Sequence, residues 1–135
     1  MDSLSLAERS ALMARIRSKN SRPEITVRKL VFALGYRYRL HAKDLPGQPD
    51  LVFRPRCKVI FVHGCFWHSH RHCSVAHVPK SRRDFWVVKL EGNKARDRRN
   101  MRTLTRCGWR VLTIWECQLK DTVRLEAIIR GFLDA

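Results

Sequence analysis

Acidic residues are scarce in this chain: 12 Asp and Glu stand against 28 Lys and Arg, a net charge of +16 in 135 residues. So basic a balance in so short a chain points to a polyanionic partner, most simply nucleic acid. No apolar run approaches the roughly 20 residues that a bilayer-spanning helix needs. The basic residues are also not gathered on one amphipathic helix, as a membrane-surface anchor would require. The first 20 residues hold no hydrophobic secretion core, so a soluble, intracellular protein is expected. Cysteines are odd in number, five in all, which argues against a disulfide framework and leaves buried thiols or metal ligands. Repeats, low-complexity segments and interdomain linkers are missing too. At 44% hydrophobic residues the chain is not disordered. Its length suits one domain with one ordinary core, expected to span residues 1–135 with 1–20 as a basic arm.

Hydrophobic spacing predicts the element order. Residues 5–19 read as a basic helix with Leu6, Leu12, Met13 and Ile16 as its apolar handholds. A second helix is predicted from about Arg22 to Leu34. Ser21-Arg22-Pro23-Glu24 fits a capping box with Pro in the first turn. Val27, Leu30, Val31 and Leu34 make one buried stripe, and Gly35 is the stop. Tyr36 to His41 alternates as a half-exposed strand. Asp50 to Phe53 is a short strand after the turn at Leu45 to Pro49, and Lys58 to His63 is apolar enough to be buried on both faces. The segment 64–80 looks irregular. A long helix is predicted from Ser81 to about Arg106, opened by Ser81 and Asp84. A strand over 109–115 and a helix over about 122–133 complete the chain. The first strands are expected to pair antiparallel. The strand–helix–strand unit 58–115 should make a right-handed parallel crossover. The fold class is α/β, a mixed sheet flanked by helices.

Twelve acids are few enough to search completely. Asp50 is the best candidate ligand for a catalytic divalent cation, because it opens a buried strand after Pro49. The plain alternative is a turn Asp that caps its own loop. Five of the six histidines fall between 63 and 77, with Cys65 and Cys73 among them. Cys65, His70 and Cys73 offer three soft ligands on one loop, and Cys117 at a later strand end offers a fourth, a set that would close a structural zinc tetrahedron. His72 is the alternative to His70. His63 ends the buried strand and Asp97 sits on an otherwise apolar helix face, so a hydrogen bond between them would satisfy both. That pair could be structural or could orient a catalytic imidazole. Phe66, Trp67 and Trp86 are core residues on the bland reading and base-stacking rings on the sharper one.

Three stretches carry a resemblance: Leu45-Pro46-Gly47-Gln48-Pro49-Asp50, then Phe61-Val62-His63-Gly64-Cys65-Phe66-Trp67-His68, then Asp97-Arg98-Arg99 with Gly108-Trp109-Arg110-Val111-Leu112 and Trp115-Glu116-Cys117. With Arg17-Ser18-Lys19-Asn20 and Pro23-Glu24 they closely resemble the very short patch repair endonucleases, bacterial DNA mismatch nicking enzymes, over nearly the whole chain. The resemblance implies a restriction-endonuclease-like fold with a structural zinc site. It implies nicking of double-stranded DNA 5′ of the thymine in a T:G mismatch, such as 5-methylcytosine deamination leaves. It implies catalytic Mg²⁺ on Asp50 and the Val62 main-chain carbonyl. His68 is then the general base, with His63, its partner Asp97, and Glu24 in the active site. Zinc falls to Cys65, His70, Cys73 and Cys117. Phe66, Trp67 and Trp86 become a wedge beside the mismatch, and Met13 part of an arm that clasps the duplex. A monomer in the bacterial cytoplasm is implied, with mismatch-repair proteins as candidate partners. Many relatives carry Thr where Val62 stands, so a side-chain hydroxyl role is absent here. Phe61 and His63 stand where the wider nuclease superfamily carries its second acid and lysine. Rival expectations are a nuclease of this fold specific for a sequence or a branched structure, and a zinc-stabilised DNA-binding module without activity.

Overall fold

The computed structural model describes residues 21–71, 73 and 78–135. The predicted helix over 5–19 lies outside them. Along the described residues the elements are α1 (Arg22–Ala33), β1 (Arg39–Leu40), β2 (Leu51–Phe53), β3 (Lys58–His63), α2 (Arg83–Arg106), β4 (Arg110–Trp115) and α3 (Thr122–Asp134). Short 3₁₀ turns follow β2 and β4.

The apolar run Lys58–His63 becomes an interior strand with all six residues buried. The sheet order is β1-β2-β3-β4. β1 pairs antiparallel with β2 and β2 antiparallel with β3, while β3 runs parallel to β4. The parallel pair needs a crossover, and the 24-residue α2 supplies it. Both sheet faces are covered. On one, Ile60, Val62, Leu51 and Phe53 meet Val27 and Val31 of α1 and Leu125, Ile129 and Leu133 of α3. On the other, Val52, Val59 and Phe61 meet Leu104 of α2. Side chains alternate across a strand, so one run of sequence serves both layers.

Three local expectations change. The strand predicted over 36–41 shrinks to Arg39–Leu40, because His41 turns left-handed at φ 47 and β2 offers only a short partner. Tyr36 and Tyr38 instead fasten neighbouring helices, donating to Asp134 Oδ1 at 2.7 Å and to the Arg28 carbonyl at 3.2 Å. α2 starts at Arg83, with left-handed Arg82 at its N-cap and no side-chain cap, so Ser81 does not open it. The capping box at Ser21 is also not formed, since Ser21 makes no side-chain cap bond. Lys58, though buried, is satisfied: its Nζ donates to the carbonyls of Phe132 and Ala135, both at 2.7 Å, at the C-terminal end of α3.

Candidate active site and metal centre

β3 outruns β2. Their ladder ends at Leu51–Ile60, whereas the β3–β4 ladder continues to His63–Trp115. Main-chain groups near the end of β3 are therefore left without a strand partner on the β2 side. Asp50, one residue before β2, takes that place, and its Oδ2 accepts the Val62 N–H at 2.6 Å. Burial pushes the Asp50 carboxyl up to about 7; the charge of Glu24 adds to this, while the Val62 N–H, His68 and Arg28 oppose it. A carboxylate so costly to ionise alone is well matched to a cation.

Glu24 has turned away from Ser21 and into the same cleft. Its Oε2 lies 3.1 Å from Arg28 Nη2 and 3.7 Å from His41 Nε2. Arg28 Nη2 also donates to His41 Nε2 at 3.0 Å. A charged partner one turn along the helix outweighs a cap to a backbone N–H, which explains the missing box. Glu24, His41 and Asp50 bring potential ligand atoms within 4.8 Å of one another.

Asp97 pairs with His68, not with His63. Its Oδ2 is 2.6 Å from His68 Nδ1. His63 lies face to face beneath His68, ring centroids 3.7 Å apart and planes 5° from parallel. Burial drives the His63 imidazole down to about 3, with His68 adding and Asp97 opposing, so this ring is neutral. The buried His63 Nδ1 has no hydrogen-bond partner among the described residues. His63, His68 and Asp97 are close enough to suggest chelation. However, stacked rings aim their lone pairs along parallel planes and cannot share one ion without turning. The arrangement suits proton transfer by His68, with Asp97 fixing its tautomer.

Asp50, His68, Asp97 and Glu24 all line one cleft of about 810 Å³, with Arg22 and Arg96 at its wall. Phe66 and Trp67 line it too. Trp67 and Trp86 are nonetheless buried, packed with Leu90, Phe66 and Val78 as a small core of their own. The three rings meet mostly edge to face, Phe66 to Trp67 at 5.1 Å and Phe66 to Trp86 at 5.3 Å. The core reading of Trp67 and Trp86 therefore holds in the free protein, and Phe66 is the half-buried member. Met13 lies outside the described residues.

The turn that follows β3 carries a second cluster. Cys65, His70, Cys73 and Cys117 bring their ligand atoms within 4.8 Å of one another. His70 Nδ1 is 3.5 Å from Cys65 Sγ and 3.4 Å from Cys117 Sγ. Tetrahedral zinc with ordinary Zn–S and Zn–N bonds puts such ligand atoms about 3.5 Å apart, so the donor set and its spacing fit zinc. Burial pushes the Cys65 thiol up to about 12, which leaves a bound cation as the means of making it a thiolate. His72, the alternative ligand, is outside the described residues. Glu116 Oε1 accepts the Cys65 N–H at 3.1 Å.

Several residues escaped the sequence reading. Asn93 Nδ2 donates to the Trp67 carbonyl at 3.0 Å. Asn100 packs against Gly47, whose left-handed φ of +77° and lack of a Cβ let the Asp50 loop approach α2. Asn93, Asp97 and Asn100 recur at i, i+4 and i+7, a polar stripe on one helix face that could have been read as a row of fasteners.

A carboxylate beside an oriented imidazole in a basic, ring-lined cleft is the equipment of a hydrolytic enzyme acting on a polyanion. Comparison with known proteins makes the class specific. The family model for DNA mismatch endonuclease Vsr matches residues 1–75. The chain is similar to the type II nicking enzyme V.XorIIP of Xanthomonas oryzae pv. oryzae, 53% identical over 133 residues, which cover 98% of this chain and 97% of that one. It is similar to V.NmeAIP of Neisseria meningitidis, 41% identical over 138 residues, 99% and 98% of the two chains. The DNA mismatch endonuclease Vsr of Escherichia coli is 41% identical over 119 residues, 88% of this chain and 76% of that one. The chain belongs to the Vsr endonuclease family, and it is an endodeoxyribonuclease. No helix among the described residues is long and apolar enough to cross a membrane.

Proposed function

We propose that the protein nicks one strand of double-stranded DNA on the 5′ side of the thymine in a T:G mismatch, with Mg²⁺ as catalytic ion and Zn²⁺ as structural ion. The observation that carries this reading is the convergence of Asp50 and the Asp97-oriented His68 on one cleft beside packed aromatic rings. The relatives' names, a mismatch endonuclease and nicking enzymes, support its two halves. The mixed sheet supports a restriction-endonuclease-like fold.

Asp50 and the Val62 carbonyl would hold Mg²⁺. In an extended strand the N–H and C=O of one residue point to the same side, so this carbonyl faces the side where the Val62 N–H meets Asp50. When bound, the ion stabilises charge on the attacking and leaving oxygens. The chain's own residues do the rest. Asp97 keeps the proton on His68 Nδ1, leaving Nε2 to take one from water. The water oxygen bonds to phosphorus as the P–O3′ bond breaks, and the 3′-oxygen takes a proton from solvent. The products are 5′-phosphate and 3′-hydroxyl ends. Glu24, tied to Arg28, adds negative charge beside Asp50. Basic side chains hold the phosphates, with steep salt dependence. Phe66, half-buried at the cleft, leads the aromatic wedge, with Trp67 and Trp86 behind it, and a mismatched pair is cheaper to unstack than a matched one. Asp50→Asn is expected to abolish Mg²⁺-dependent nicking while leaving DNA affinity within several-fold; equal loss of both would contradict the ligand role.

A further inference from the structure

The end of β3 and the loop after it interleave two pairs at the same spacing: His63 with His68 at the cleft, and Cys65 with His70 in the thiol cluster. One side chain touches both sets. Trp115, the last residue of β4 and the register partner of His63, lies flat on His70, with centroids 4.1 Å apart and planes 7° from parallel. Its ring also meets His63 edge to face at 5.2 Å and stands 6.5 Å from His68. The rings therefore run unbroken from a metal ligand to the proposed base: His70, Trp115, His63, His68. Asp97 clamps the far end of that stack at 2.6 Å. His63 needs such support, since its buried Nδ1 has no hydrogen bond among the described residues to fix the ring. Ring packing bears on its orientation instead: His68 lies above it, and Trp115 and Phe61 stand beside it at 5.2 and 5.6 Å. Cys117, two residues beyond Trp115, ties the same strand end to the cluster.

We infer that Trp115 is a positioning residue. It transmits the rigidity of the Cys/His metal cluster to His63 and so holds His68 in line for proton transfer. The inference rests on the reading of His68 as general base. The metal would then be more than a staple for folding, because its occupancy would set the turnover of a site it does not touch.

The test compares Trp115→Leu and Trp115→Phe with the parent protein and with His68→Ala. Four quantities are read: bound zinc per chain, thermal midpoint, duplex affinity, and single-turnover nicking rate against pH. Trp115→Leu is expected to keep stoichiometric zinc and duplex affinity within about two-fold, yet lose about 10- to 100-fold in rate, the range of partners that orient a functional group. Trp115→Phe, which keeps an aromatic face, should recover most of that rate. Full activity in Trp115→Leu would overturn the inference. So would loss of zinc or duplex binding in step with the rate in both variants, which would make Trp115 packing for the cluster alone. His68→Ala keeps the two readings apart: if it nicks at the parental rate, the assignment of the base fails, whatever Trp115 does.

Discussion

Asp50 allows a function–stability conflict to be measured. Its carboxyl is raised from an ordinary 3.8 to about 7, by burial first and by Glu24 second. Below about pH 3.8 the folded and unfolded chains both carry the proton, and the group contributes nothing. As pH climbs from about 4 towards 7, the unfolded chain releases its proton and the folded chain keeps it. Folding is penalised across that window, and fully so above it. Roughly three decades of proton affinity at about 1.4 kcal/mol each give about 4 kcal/mol, an upper bound because water entry relaxes the burial. Asp50→Asn removes the charge and retains an oxygen for the Val62 N–H. At about 3 °C per kcal/mol for a domain of this size, the variant should melt up to about 12 °C higher near pH 8 and no differently near pH 4. Added Mg²⁺ should narrow the gap by stabilising only the parent. Thermal unfolding followed by circular dichroism across that range, with and without Mg²⁺, decides it. A gap independent of pH, or a variant less stable near pH 8, would show that the Asp50 carboxyl is not held up by burial.

Asp97→Asn should slow single-turnover nicking by about 100-fold. Opposite charges about 4 Å apart at an effective dielectric near 20 interact by about 4 kcal/mol. The His68 and Asp97 side chains are 27% and 24% exposed, which screens part of that interaction. The effect should vanish in a His68→Ala background; additive losses would separate the two residues. Cys117→Ser should lower bound zinc and the thermal midpoint together, because structural zinc contributes folding energy. A variant with parental zinc content and stability would contradict the tetrahedral assignment.

How much of this was legible depended on whether a feature is local. The apolar run at Lys58–His63 and the stripe on α1 encode their own burial, so β3 and α1 emerged within about a residue. Cys65, His70 and Cys73 sit close in sequence and assemble as their spacing suggests. Pairings decided by tertiary packing did not show. Nothing local says whether Asp97 reaches His63 or His68, since both histidines lie on the face that α2 covers. Ser21 and Ser81 carry the right chemistry for caps. The first loses Glu24 to Arg28, and the second lies just outside a helix that starts from a left-handed residue. For Trp67 and Trp86 the residues alone left core and base-stacking both open, because nothing in a linear sequence reveals that the two rings shelter each other.

A metal-dependent nick placed by a mismatch is what the cleft is proposed to make. Its most direct test is one end-labelled duplex with a T:G pair in a cytosine-methylation sequence, beside a fully paired twin, each incubated with Mg²⁺ and with EDTA. The expected result is a single cut, in the thymine strand only, immediately 5′ of the mismatched T, with a 5′-phosphate end and only when Mg²⁺ is present. Equal cutting of the paired duplex, or tight binding of both with no cut, would contradict it.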